Sequence, residues 1–411
     1  MSVANGDVDL AIDMDSPVGL HPLVFLVDGD EVTIGRSDID SYGIFPAEGA
    51  DVVRRLADGQ TPQAVQEWFE RTHDTGIDMA DLIGTLGELE LLKAGDGESD
   101  TEPPPVRFVW LGRALFSLPA LVTYACLIVW ATAIAVARPE LAPHYENIFF
   151  TEYFSVVQVT LFLVAIPLVL VHESFHALAG RRLGLRSRLR IGRRLYFVVM
   201  ETSLDGLVAV PRTKRYLPIL AGMLADVVGI AVCMIVADLT RESDGGLSGL
   251  GRFLLAVAFA ALLRVVWQFF FYLRTDGYVL ICTVLGCVDL HGAARRMLGN
   301  RVNRLLGRRD RILDESTLHP VDRHAARWYA WLVVGGYTVS LTTFVLAGAP
   351  VLYRIATGVL GRFGGDAPSA ELLDSFVFAC LVLIQAVLLG WLMLRDRRQA
   401  RAARPTRHVI A

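Results

Sequence analysis

The segment VHESFHALAG, residues 171–180, packs two imidazoles and a carboxylate into five residues. On a helix of 3.6 residues per turn, His172 and His176 stand at i and i+4. Both rings then project from one face and can share a metal ion. Glu173 sits where a general base for a metal-activated water belongs. The pattern HExxH is loose, and soluble helices match it by chance. Here it lies in an apolar run that begins near Phe154. Ionisable groups in such a run are costly unless they are paired, and they are usually kept for function. That setting favours a metal site over a chance match on a buried helix.

A catalytic zinc takes three protein ligands and leaves a fourth position open. The HExxH run ends at Gly180-Arg181, which puts His176 ~6 Å and His172 ~12 Å inside that end at 1.5 Å per residue. A later apolar run from about 252 ends at LRTDGY, residues 273–278, and brings Asp276 to a comparable depth. Asp226, Asp238, Asp289 and His291 are weaker rivals for the third ligand. Arg264, in mid-span, is expected either to pair with Asp226 or Asp238 or to line a water-filled cavity. Pro167, one turn before the motif, is expected to kink its helix.

The elements that must position these residues follow from composition. The chain has 411 residues, 53% of them hydrophobic, and a mean hydropathy of +0.45. That excludes an ordinary soluble protein and implies a polytopic membrane protein with one soluble part. The formal charge of −4 hides a split. Residues 1–100 hold 22 acidic and five basic residues, whereas the remainder holds 34 basic and 21 acidic ones. The five cysteines (Cys126, Cys233, Cys282, Cys287 and Cys380) are scattered through apolar segments. They read as small buried residues rather than a disulfide framework. MSVANGDVDLAIDMD has neither a basic nor an apolar signal region, so no secretory signal is expected.

The expected fold class is mainly α, a polytopic membrane protein of about six transmembrane helices with a small N-terminal α+β winged-helix domain. Residues 1–20 read as a disordered lead-in. Residues 21–95 carry two short strands around Asp28-Gly29-Asp30, then three helices. The first covers about 47–56, the second opens at Thr61-Pro62, and the third opens at Asp78. Residues 96–108 form a proline-rich linker. The metalloprotease core covers 109–285, an arginine-rich cytoplasmic loop 286–327, and two further spans with a basic tail 328–411. The spans are placed at roughly 112–136, 153–179, 216–238, 252–273, 328–349 and 372–394. Arginines cluster after the second and fourth spans and in the tail, so both termini are expected in the cytoplasm. Residues 195–210 alternate around Asp205-Gly206 and read as a β-hairpin whose edge can hold substrate extended.

HESFH together with a distal Asp-Gly at the end of a later span resembles the site-2 protease family of membrane zinc metalloproteases, over about residues 150–280. The resemblance implies Zn2+ on His172, His176 and Asp276, with Glu173 as general base. The family's usual Asn and Pro before Asp-Gly are replaced by Gln268 and Phe271. Its Gly-Pro-x-x-Asn element is replaced by AGMLAD, with Met223 and Asp226. Gln268 is the candidate to steady substrate or oxyanion. RTDGY and RYLPILAGMLAD look closer to a branch associated with ribosomally synthesised modified peptides of the daptide type. The head, by its order of strand, turn, strand and helices with GQTPQAVQEWF, resembles the PqqD-like fold. That resemblance implies binding of a leader peptide as an added strand.

The expectation is therefore a multi-pass zinc endopeptidase of the cell membrane that removes the leader of a precursor peptide. Modifying enzymes or an exporter of the same pathway and membrane lipid are further partners, and no nucleic acid is expected. One alternative is regulated intramembrane proteolysis of a single-span signalling protein. Another is a non-catalytic docking or export scaffold with structural zinc, in which Glu173 would have no purpose.

Overall fold

The computed structural model describes residues 13–93 and 105–402, apart from 30, 37, 40, 195–196, 288, 317 and 364–367. Most of the expected lead-in and linker, Asp30 of the first turn and the end of the basic tail lie outside the described residues. The chain divides into two compact units. One comprises Met1–Val109, Gly180–Arg188 and Ser203–Arg215; the other comprises Trp110–Ala179, Leu189–Thr202 and Tyr216–Ala411.

The first unit is built on a sheet of three antiparallel strands, β1 (Val24–Asp28), β2 (Glu31–Arg36) and β3 (Ser41–Pro46), in that spatial order. Asp28 pairs with Glu31, and Gly29 takes the positive φ of +67° that so tight a turn demands. Three helices follow, α1 (Ala47–Ala57), α2 (Pro62–His73) and α3 (Met79–Glu88). Thr61 and Asp78 cap the second and third through Ala64 N (3.3 Å) and Asp81 N (3.0 Å). Ile34, Val52, Val53, Leu56, Val65 and Leu86 are fully buried between sheet and helices. An isolated bridge between Leu20 and Leu92 joins the two ends of this domain. The strand β3 was not foreseen. SYGIFP has no apolar alternation and ends in proline, and it is a strand because β2 supplies its hydrogen bonds, with Val32 opposite Phe45. In the same unit the turn Leu207–Ala209 lies against β1 and β2, and Arg212 Nε meets Asp28 Oδ2 at 2.6 Å.

The second unit is helical. Among the described residues, six helices are long and apolar enough to cross a membrane, by length and composition. They are α5 (Leu118–Ala137), α6 (Phe154–Arg182), α7 (Arg212–Leu239), α8 (Gly249–Trp267), a composite Trp331–Phe363, and α13 (Ser369–Ala402) over Ser369–Leu392. The composite joins α11 (Pro320–Thr343) to α12 (Ala349–Phe363) through a π turn at Phe344–Gly348. The first span is shorter than its hydropathy suggested. A separate helix α4 (Val109–Leu115) precedes it, and Ser117 Oγ accepts from Ala120 N to start α5 anew. Pro167, where a kink was expected, lies inside α6, which is helical on both sides of it.

Two more differences bear on function. The fourth span ends at Trp267, not near 273, and a 3-10 turn at Phe271–Leu273 leads to α9 (Asp276–Leu285). The segment 286–327 is not a plain loop. It holds α10 (Leu290–Leu305), set at 89° to α9, whose Leu290 and Ala293 pack with Ala325, Ala326 and Tyr329 of α11. At the start of α6, Asp374 accepts from Phe154 N (2.8 Å) and Ser155 N (2.9 Å). Arg362 holds that carboxylate at 2.9 Å and donates to Glu152 O at 2.7 Å. The last helices thus satisfy the open donors of the helix that carries HESFH.

Candidate metal centre

The helix α6 presents His172 and His176 one turn apart, both buried, at 4% and 7% exposure. Their distal nitrogens face each other at 3.1 Å, and Asp276 Oδ2 completes a triangle at 3.2 Å from His172 Nε2 and 3.1 Å from His176 Nε2. The proximal nitrogens settle the proton positions. His172 Nδ1 meets Asp226 Oδ2 at 2.8 Å, and His176 Nδ1 meets the Pro218 carbonyl at 2.7 Å. A carboxylate and a carbonyl only accept, so each Nδ1 donates. In the neutral imidazoles both Nε2 atoms then carry bare lone pairs. With the rings neutral, three acceptors crowd together, an arrangement that a bound cation relieves. Ligand atoms on a tetrahedron ~2.0–2.1 Å from zinc stand ~3.3 Å apart, close to these separations. The group His172, His176 and Asp276 can therefore hold a metal ion.

Asp276 owes its place to a tight local structure. Arg274 is left-handed at φ 54°, and Thr275 Oγ1 donates to Gln268 O at 2.6 Å. The Asp276 N–H donates to Gln268 Oε1 at 3.0 Å. A Cβ on Gly277 would drive into Gln268 O, so the residue after Asp276 must be glycine. Asp276 therefore opens α9 rather than ending the fourth span, a correction to the expected position. LRTDGY looks like a helix end because it is a break; the break precedes the aspartate.

The third wall is α7. A Cβ on Gly222 would stand 2.7 Å from His172 Cδ2 and nearer still to both Nε2 atoms. Only a glycine lets this helix pass so close to the rings. Asp226, one turn on and 2% exposed, accepts from Arg264 Nε at 2.9 Å and from Arg264 Nη2 as well as from His172. It lies behind His172, outside the group that can hold a metal ion. The other rivals are elsewhere. Asp238 pairs with Arg138 and Arg241, Asp289 caps α10 through Gly292 N, and His291 Nδ1 faces Tyr329 OH at 3.3 Å. Arg264 takes Asp226 of its two expected partners.

Glu173 is also buried, at 9% exposure, and among the described residues no hydrogen bond or ion pair engages its carboxylate. Its carbonyl accepts from Thr202 Oγ1 at 3.1 Å, which ties a strand to the helix of the two histidines. That strand is β5 (Phe197–Asp205), paired with β4 (Arg186–Arg194). A hairpin was expected over 195–210 around Asp205-Gly206; the paired strands cover 186–194 and 197–205, and residues 195–196 lie outside the described residues. Asp205-Gly206 instead ends β5, where Gly206 takes φ +81°. Gly222, Pro218 and Thr202 were not singled out beforehand. AGMLAD marked the segment, but which of its residues faces the histidines is a matter of helix packing. No family model, curated protein or solved structure matches this chain.

Proposed function

We propose that the chain is a membrane-embedded zinc endopeptidase that removes the leader from a ribosomally made precursor peptide. The observation that carries the catalytic part is the meeting of three acceptor atoms, two of them fixed as acceptors by the bonds their rings make on the other side. Zinc held there would polarise the scissile carbonyl and make a water acidic enough to attack it near neutral pH. Glu173 would take the proton of the attacking water and pass it to the departing amine. Gln268 has committed its amide oxygen to Asp276 N–H, so its NH2 is what it has left to donate to the developing oxyanion. The strand β5, anchored at Glu173 through Thr202, suits a substrate laid out in extended form.

The peptide part rests on the head. A three-stranded sheet with β1 and β3 as its edges, followed by three helices, agrees with the PqqD-like resemblance, in which a leader adds as a strand. The arginine distribution supports a multi-pass protein of the cell membrane with both termini in the cytoplasm. Mass spectrometry of the peptide product tests the whole reading, in strains carrying wild type or Glu173→Gln. The expected result is a leaderless product that disappears in the variant while zinc stays near one per chain. A variant that processes the precursor normally would leave only a docking role. A precursor untouched by wild type, with a single-span membrane protein cut instead, would favour the signalling protease.

A further inference from the structure

Asp226, in the middle of α7, faces Arg264 in the last turn of α8, and neither belongs to the group His172, His176 and Asp276. A buried charge pair between apolar helices is costly, so the pair needs a purpose beyond joining α7 to α8. The geometry supplies one. Arg264 grips both carboxylate oxygens of Asp226 through Nε and Nη2, which stops the carboxylate from rotating. One of those oxygens, Oδ2, also accepts from His172 Nδ1 at 2.8 Å. The second histidine has no such device; a backbone carbonyl of α7 serves it.

Resting on the zinc reading of the site, we propose that Asp226 and Arg264 are a positioning pair for His172. Arg264 fixes the carboxylate, the carboxylate fixes the imidazole as its Nδ1–H tautomer, and the ring edge is thereby aimed at the metal. Partners of this kind behind a ligating histidine are worth 10–100-fold in metal affinity. The pair also explains how an arginine comes to lie inside an apolar span beside a cation site. Its charge is met by Asp226 rather than directed at the metal.

The test uses the full chain in detergent, stripped of metal and titrated with zinc against a chromophoric chelator. Cobalt(II) serves as a spectroscopic substitute, and thermal unfolding of the metal-free form runs in parallel. Asp226→Ala and Arg264→Met are each expected to weaken zinc about 10–100-fold. The two losses should not add in the double variant, because they break one chain of contacts. Both should also alter the visible cobalt bands. Asp226→Asn, whose amide oxygen still accepts from Nδ1, should keep most of the affinity. Arg264→Lys should restore only part, since an ammonium cannot hold both oxygens in plane. Should the alanine variant fail to fold, the Asp226→Leu/Arg264→Met double variant, which offers Nδ1 no acceptor and leaves no unpaired charge, takes its place in the same comparison.

Unchanged zinc affinity and cobalt spectra, with a lower melting temperature of the metal-free variants, would reduce the pair to a structural link between helices and overturn the proposal. That outcome leaves the zinc reading intact. A wild-type chain that binds no zinc overturns both.

Discussion

Gly222→Ala adds one methyl group at the point where α7 crosses the two histidine rings. Its Cβ would lie 2.7 Å from His172 Cδ2, whereas ordinary contacts begin at 3.4 Å, so the ring or the helix must yield by about 0.7 Å. Zinc ligands hold their distances to within ~0.2 Å, so a shift of that size removes at least one ligand from range. Loss of at least 100-fold in zinc affinity is expected, about 2.8 kcal/mol. The helix itself responds oppositely. Glycine to alanine in a helix interior gains ~0.5–1 kcal/mol, against ~1–3 kcal/mol for local overpacking. The metal-free protein should therefore fold with a melting temperature within several degrees of wild type. Gly229, in the same helix with open space around its Cβ position, is the control; Gly229→Ala should keep zinc and equal or exceed wild-type stability. Metal content after dialysis and chelator competition read the affinity, and differential scanning reads the fold. A Gly222→Ala protein that loads zinc as tightly as wild type would refute the packing of α7 against the rings and the metal geometry with it.

Three further outcomes are expected. Asp276→Ala should lose zinc and cleavage together; metal retained near one per chain would show that the third ligand lies elsewhere. Gln268→Glu keeps an acceptor for Asp276 N–H but loses the NH2 donor, so zinc should stay while kcat falls ~10²–10³-fold, and unchanged kcat would remove the oxyanion role. Deletion of residues 21–95 should raise KM for full precursor by ~10²–10⁴ and leave a short peptide carrying only the cleavage sequence unaffected, with equal KM values arguing against leader recognition.

Much of the site was legible because it is local. Histidines at i and i+4 share a helix face whatever surrounds them, and apolar runs of sufficient length declare the spans by hydropathy alone. The helix starts at Thr61-Pro62 and Asp78 were legible for the same reason, since a capping side chain acts on backbone donors two or three residues away. Asp276 could be picked out by its glycine neighbour and by family resemblance, although its exact setting at the start of α9 could not. The break before it depends on Gln268 folding back over Thr275 and Asp276.

The rest depended on contacts between segments far apart in the chain. Arg264 had two carboxylates to choose from on α7. Asp226 and Asp238 are 12 residues apart, about 120° around a helix, so only the crossing of α7 and α8 decides which one the arginine meets. Gly222 is one small residue among several in its helix, and nothing in its own neighbourhood says that two imidazoles lie within van der Waals reach. The strand β3 likewise exists because β2 pairs with it, not because SYGIFP prefers to be extended. Sequence periodicity specifies which side of an element is apolar or polar. Which element that side will face is set by the packing of the helices and strands together, and in this protein that packing decides the third wall of the candidate metal centre and the partner behind its first histidine.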